Sequence, residues 1–238
     1  DAPDAAAFII GFIGLAVIWF IAITPARQGT RLLLLIEAAT VTLILIVAVI
    51  IFFKLIGGGG PNGQKIDLSV FRVPDGVDSS TLFLGVVFGF LSFAGFEAAA
   101  TLGEEARNPR KDIPRAILGV AIFGGVYFTV VTAIEMMGFG TSPDGVKAFV
   151  GSGSLMGDLG SQYVAPWIGN LITLGAMVSA FGCILACVVG ASRLIYALGR
   201  DGGSLKVFEG VSSKTGTPNA ATTGVVLGTA ALALGAWL

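Results

Sequence analysis

The chain has 238 residues, with 14 Lys+Arg against 15 Asp+Glu, so only 12% are charged and the net charge is −1. Soluble domains carry about 25% charged residues, and a mean hydropathy of +0.90 excludes both a soluble globular domain and a disordered chain. There is no His, and the two Cys share one apolar run, which makes metal hydrolases, Ser-His-Asp hydrolases and disulfide scaffolds poor readings.

Apolar runs of about twenty residues can cross a hydrocarbon core of roughly 30 Å as helices. Six occur, at 5–24, 32–56, 82–103, 116–140, 164–198 and 219–238. None shows strict alternation or a wide polar face, so they predict lipid-bathed helices. The expectation is an all-α polytopic membrane bundle, with residues 1–238 forming one transmembrane domain. No short cationic stretch precedes the first run, which therefore reads as a span rather than a signal peptide.

The second run holds Glu37, about 8 Å from its start by helical rise. A carboxylate there can snorkel, pair with another helix or face a watery path. Beyond this run, residues 57–80 are Gly-rich. Gly58, Gly60 and Gly63 match a GxGxxG pattern, but no strand precedes them and Pro61 lies within, so a flexible loop is expected rather than a dinucleotide site.

The third run contains Ser92-Phe93-Ala94-Gly95-Phe96-Glu97, which places an acid deep in a span. Such a residue costs about 2.5–3.5 kcal/mol on insertion scales. Gly95 between two aromatics is a weak helix former. Gly beside a buried acid has two readings. One is a helix break that frees backbone groups, as in the substrate sites of secondary transporters; the other is a close helix crossing with Glu97 hydrogen-bonded across it. The charged stretch that follows includes Pro109 and Pro114, each expected to limit helix on its N-terminal side.

Glu135 lies near the end of the fourth run and is expected to reach the membrane interface. The Gly/Ser-rich connection 141–165 is uninformative, beyond a possible place along the membrane surface. The fifth run spans 35 residues, about 52 Å as a helix, so its end should project beyond the bilayer. Cys183 and Cys187 sit on one of its faces beside Gly182, Ala186 and Gly190 and read as small packing residues. Gly85 with Gly89, and Gly224 with Gly228, are further four-residue repeats that should let helices approach closely. The last run is still apolar at Leu238, which reads as a piece of a longer protein.

Lys and Arg set the expected orientation. Ten fall on alternate connections and the helix ends beside them, from Arg27 through Arg107 and Arg115 to Lys214; the other side has Lys54, Lys65, Arg72 and Lys147. The first set belongs in the cytoplasm, which puts both chain ends outside. A complete bacterial transporter usually begins in the cytoplasm, so an odd number of preceding spans is expected.

The motif Phe93-Ala94-Gly95-Phe96-Glu97, with Glu104-Glu105-x-Arg107-Asn108-Pro109 and Ile113-Pro114-Arg115-Ala116 after it, resembles the amino acid–polyamine–organocation (APC) superfamily of permeases. Ala191-Ser192-Arg193-Leu194-Ile195-Tyr196-Ala197-Leu198-Gly199-Arg200-Asp201-Gly202, with Gly216-Thr217-Pro218 downstream, resembles that family's eighth helix and the start of its ninth. The likeness covers the whole chain, from the family's fourth to its ninth helix. It implies a LeuT-like fold of two inverted five-helix repeats, with substrate held at broken helices. Carried over, the substrate-binding residues are Ser92, Phe93, Ala94, Gly95 and Phe96, with Glu97 in gating or coupling. Glu37 stands where proton-coupled relatives often place a Lys, and Leu205-Lys206 stands where the family often has Leu-Pro.

The reading is a secondary transporter of the plasma or inner membrane, moving amino acids by alternating access with proton coupling or exchange. It implies a bilayer, an amino acid or amine substrate and preceding N-terminal helices as partners, with no cofactor, metal or nucleic acid. A polyamine or ethanolamine permease is the alternative. An ion channel would reuse one filter motif in a ring, and none is repeated here. An intramembrane enzyme lacks a catalytic constellation.

Overall fold

The computed structural model describes residues 2–24, 27–74, 76–95, 100, 106–202 and 206–237, and every regular element among them is a helix. In chain order these are α1 (Ala2–Ala22), α2 (Arg27–Ile56), a short 3₁₀ turn (Leu68–Phe71), α3 (Ser79–Leu91), α4 (Pro109–Phe139), α5 (Pro143–Gly151), α6 (Leu155–Tyr163), α7 (Pro166–Arg200), a second 3₁₀ turn (Lys206–Phe208) and α8 (Asn219–Trp237). Five of them, α1, α2, α4, α7 and α8, are long and apolar enough to cross a membrane.

Within the third run α3 has 13 residues, about 20 Å by helical rise and short of a hydrocarbon core. One feature departs from the sequence expectations: Pro114 does not bound a helix but lies inside α4, which starts at Pro109. A proline at the first helical position forfeits a donor that has no partner anyway, and Pro114 removes only one i→i−4 bond. Asn108 caps this start: its carbonyl accepts from the Lys111 and Asp112 amides at 2.9 and 2.8 Å, and its own amide donates to Asp112 Oδ2 at 3.2 Å.

The chain divides into two compact units. The first comprises 1–34, 97–113 and 179–238. Its core brings together Ile18 of α1, Leu185 and Val188 of α7, and Val226 of α8. Trp19 Nε1 donates to Thr223 Oγ1 at 3.0 Å, so the polar edge of a mostly apolar ring finds a partner on α8. Nearby, Thr217 Oγ1 donates to the Ile23 carbonyl at 3.2 Å.

The second unit comprises 35–96 and 114–178. Val47, Ile51 and Leu55 form an i, i+4, i+8 stripe on α2, each at most 1% exposed, packed with Ile134 and Met137 of α4, Leu159 and Tyr163 of α6, and Ile172 of α7. The uninformative connection 141–165 thus contains α5 and α6, and α6 supplies part of the core. A Cβ on Gly138 would stand 3.1 Å from both Leu159 methyls, so α4 and α6 meet closely at this point. Tyr163 Oη donates to the Gly138 carbonyl at 2.9 Å, and Lys54 Nζ donates to the Tyr163 carbonyl at 2.5 Å.

Close backbone approaches therefore occur at other places than the small-residue repeats suggested. Gly169 lies against the Gly157 carbonyl and Gly175 against Thr40. At Gly85, Gly89, Gly182 and Gly228 an added Cβ would meet nothing within 4 Å among the described residues, whereas Gly224 does lie under the Phe208 ring. Cys183 and Cys187 form no disulfide, and both are exposed among the described residues.

Candidate functional site

α3 starts at a strong cap. Asp78 accepts from the Thr81 amide at 2.9 Å and from the Ser80 hydroxyl at 2.8 Å. These bonds favour the charged carboxylate and hold Asp78 at about 2, against an ordinary 3.8.

At its other end the helix stops inside the apolar run. The Ser92 amide and hydroxyl both donate to the Phe88 carbonyl, each at 3.1 Å. The next amides, Phe93 and Ala94, reach back only three residues, to Phe90 at 3.0 Å and Leu91 at 3.1 Å. Gly95 then turns to φ +101°, which L side chains rarely adopt. A Cβ on Gly95 would meet nothing within 4 Å among the described residues. The positive φ by itself calls for a glycine at this position.

Ser92, Phe93, Ala94 and Gly95 thus form one turn after α3. Phe93 points onto α4. Its ring meets Phe128 edge to face, with centroids 5.4 Å apart at 89°, and overlies Gly124, whose hypothetical Cβ would sit 3.0 Å from it. Gly124 and Gly125 leave the α4 surface bare where the ring lands. Ser92 and Ala94 are exposed, and Phe93 and Gly95 are half-buried. Phe96 and Glu97 lie outside the described residues.

Glu37 is half-buried on α2. Glu135 is not the surface acid expected; it is 8% exposed among the core residues at the end of α4, where α6 packs on the helix at Gly138. Sequence reasoning missed Gly124 and Phe128. The adjacent Gly124-Gly125 pair in an otherwise bulky helix was the signal for a bare landing surface.

The model of the family described as Amino acid permease matches residues 2–238. The chain belongs to this family. Among its relatives, human "Cationic amino acid transporter 4" is 33% identical over 64% of this chain and 24% of its own length. "Branched-chain amino acid permease BcaP" of Lactococcus lactis is 33% identical over 52% of this chain and 25% of its own, and "Cationic amino acid transporter 2, vacuolar" of Arabidopsis thaliana is 28% identical over 67% and 24%. The chain thus spans about a quarter of the length of these curated relatives, which are transporters and permeases rather than enzymes. No solved structure matches it. The helical architecture with its long apolar helices is that of a multi-pass membrane permease.

Proposed function

We propose that this chain is the part of a secondary active transporter that binds the amino group of an amino acid at the α3 break and moves it by alternating access. The observation that carries this reading is the end of α3 at Leu91 inside an apolar run, followed by Gly95 at φ +101°. Irregular backbone at membrane depth persists only where it is buried in protein or lines a cavity, and transporters use such breaks to meet polar substrate groups. Ser92 to Phe96 contribute backbone groups and an aromatic gate. Glu97 and Glu37 serve gating or coupling, by proton movement or exchange, and the partner broken helix comes from N-terminal spans. The relatives, named as amino acid transporters and permeases, favour amino acids over polyamines or ethanolamine, and the plasma or inner membrane is the proposed location.

Uptake into proteoliposomes by the permease that carries this chain tests the reading, with amino acids and polyamines offered with and without a pH gradient. Saturable amino acid flux, accelerated by substrate on the far side, is expected. Flux that does not saturate would mean a channel, and uptake confined to polyamines would move the substrate class. Residues 1–238 alone should give no saturable uptake, because a substrate desolvated against half a site loses its compensating contacts.

A further inference from the structure

A second polar feature lies in the second unit and shares no residue with the α3 turn. It is a cavity of about 880 Å³ between the loop around 62–67, the α4–α5 junction and Gln162 of α6, within the size range of small-molecule sites. The charge distribution of Lys and Arg assigns this end to the outside. We propose that this cavity is an outer binding site for a basic α-amino acid, with Asp67 and Asp144 meeting its two cationic groups and Lys65 its carboxylate.

The walls are held in place before any ligand arrives. α4 ends at Phe139, and Gly140 turns the chain at φ +96°, with the Gln64 side chain so near that a Cβ on Gly140 would stand 3.3 Å from its Cγ. Asp67 accepts from Thr141 Oγ1 at 2.6 Å and from the Ser69 amide at 2.9 Å, which ties the loop to the junction. The same bonds, that from Thr141 first, keep the Asp67 carboxyl below its usual range, so it stays anionic in mild acid. Ser142 caps α5 by accepting from the Gly145 amide at 3.2 Å.

The lining charges are two carboxylates and one ammonium. Arginine and lysine carry the inverse set, two cations and one carboxylate, whereas a neutral amino acid leaves one aspartate unmatched. Met137 and Phe139, 5% and 8% exposed, give the cavity an apolar floor for a methylene chain. Lys65 and Asp144 make no hydrogen bond or ion pair among the described residues and remain available to a ligand. Both are exposed, so the site is weak, salt-sensitive and suited to concentrating substrate before it enters.

The choice of ligand deepens the transport reading and rests on it. The test measures binding of radiolabelled arginine and leucine to the chain in lipid nanodiscs, and their uptake by the permease that carries it. Lys65→Gln and Asp144→Asn should each weaken arginine binding by about threefold to fivefold, as expected for exposed charge pairs, with larger effects at low salt and little change for leucine. Arginine binding that survives Gly95→Leu should be lost on adding both substitutions. Unchanged arginine binding in both variants, or equal losses for leucine, would overturn the outer site while leaving uptake, and the transport reading, intact. A wild-type permease that takes up no amino acid would instead overturn the transport reading.

Discussion

The Phe93 ring lies over Gly124, and a single carbon added to that glycine would stand 3.0 Å from the ring edge. The bare surface on α4 therefore fixes where the turn after α3 can place its aromatic. Gly124→Val should push the ring off this seat, at a packing cost of about 1–3 kcal/mol. If Phe93 helps to shape the substrate site, KM should rise roughly tenfold with membrane insertion unchanged, about 1.4 kcal/mol in binding. A KM equal to wild type in uptake assays would separate Phe93 from substrate.

Gly95 makes a sharper test, because its constraint is conformational. With no described atom within 4 Å of the hypothetical Cβ and φ at +101°, Gly95→Ala and Gly95→Leu should be about equally harmful, each straining the backbone by about 1–3 kcal/mol. Both should abolish saturable uptake and leave insertion intact. Losses that grow with side-chain size would point to crowding, and normal uptake by the Leu variant would remove the site from this turn.

Glu97→Gln should preserve folding, lower turnover and flatten its dependence on pH, if alternation between charged and neutral carboxyl accompanies opening of the site. Glu37→Gln should have a smaller effect, since the sequence places Glu37 only about 8 Å into its run by helical rise. Rates measured across pH 5 to 8 in proteoliposomes distinguish the two. Wild-type turnover at every pH would leave Glu97 a packing role only.

The cap on α3 carries its own pH signature. Asp78 stands at about 2 in the folded chain against an ordinary 3.8, so its contribution is complete above about pH 4 and is lost as pH falls through about 2. Asn keeps a capping oxygen but does not titrate. The stability difference between wild type and Asp78→Asn, followed by thermal unfolding in detergent, should therefore rise between pH 2 and 4 and stay constant above. A difference independent of pH would show that the charged cap is not used.

Hydropathy located the long helices because lipid-facing residues must be apolar all along a span, and that pattern survives in one dimension. The helix break near Gly95 was legible for a local reason: glycine between aromatics is costly unless the backbone needs it. What escaped notice depended on partners distant in sequence. α6 is nine residues long, too short for a periodic signal, yet Leu159 and Tyr163 complete the core, and Glu135, an expected surface acid, is buried. The small-residue repeats were weak guides for the same reason, since close approach at Gly138 is decided by Leu159 and not by the spacing of glycines along one helix.

Three bonds join segments far apart in the chain at one end of the second unit: Asp67 with Thr141, Lys54 with the Tyr163 carbonyl, and Tyr163 with the Gly138 carbonyl. A connection as long and Gly-rich as 57–78 would ordinarily be the first place a protease cuts, but pinned in this way it resists nicking near its middle. Its surface is also assembled from pieces that no short peptide reproduces. An antibody fragment raised against the folded chain would recognise this shape and lose it on denaturation, which makes such a binder a direct reporter of whether these three bonds stay intact while the permease works.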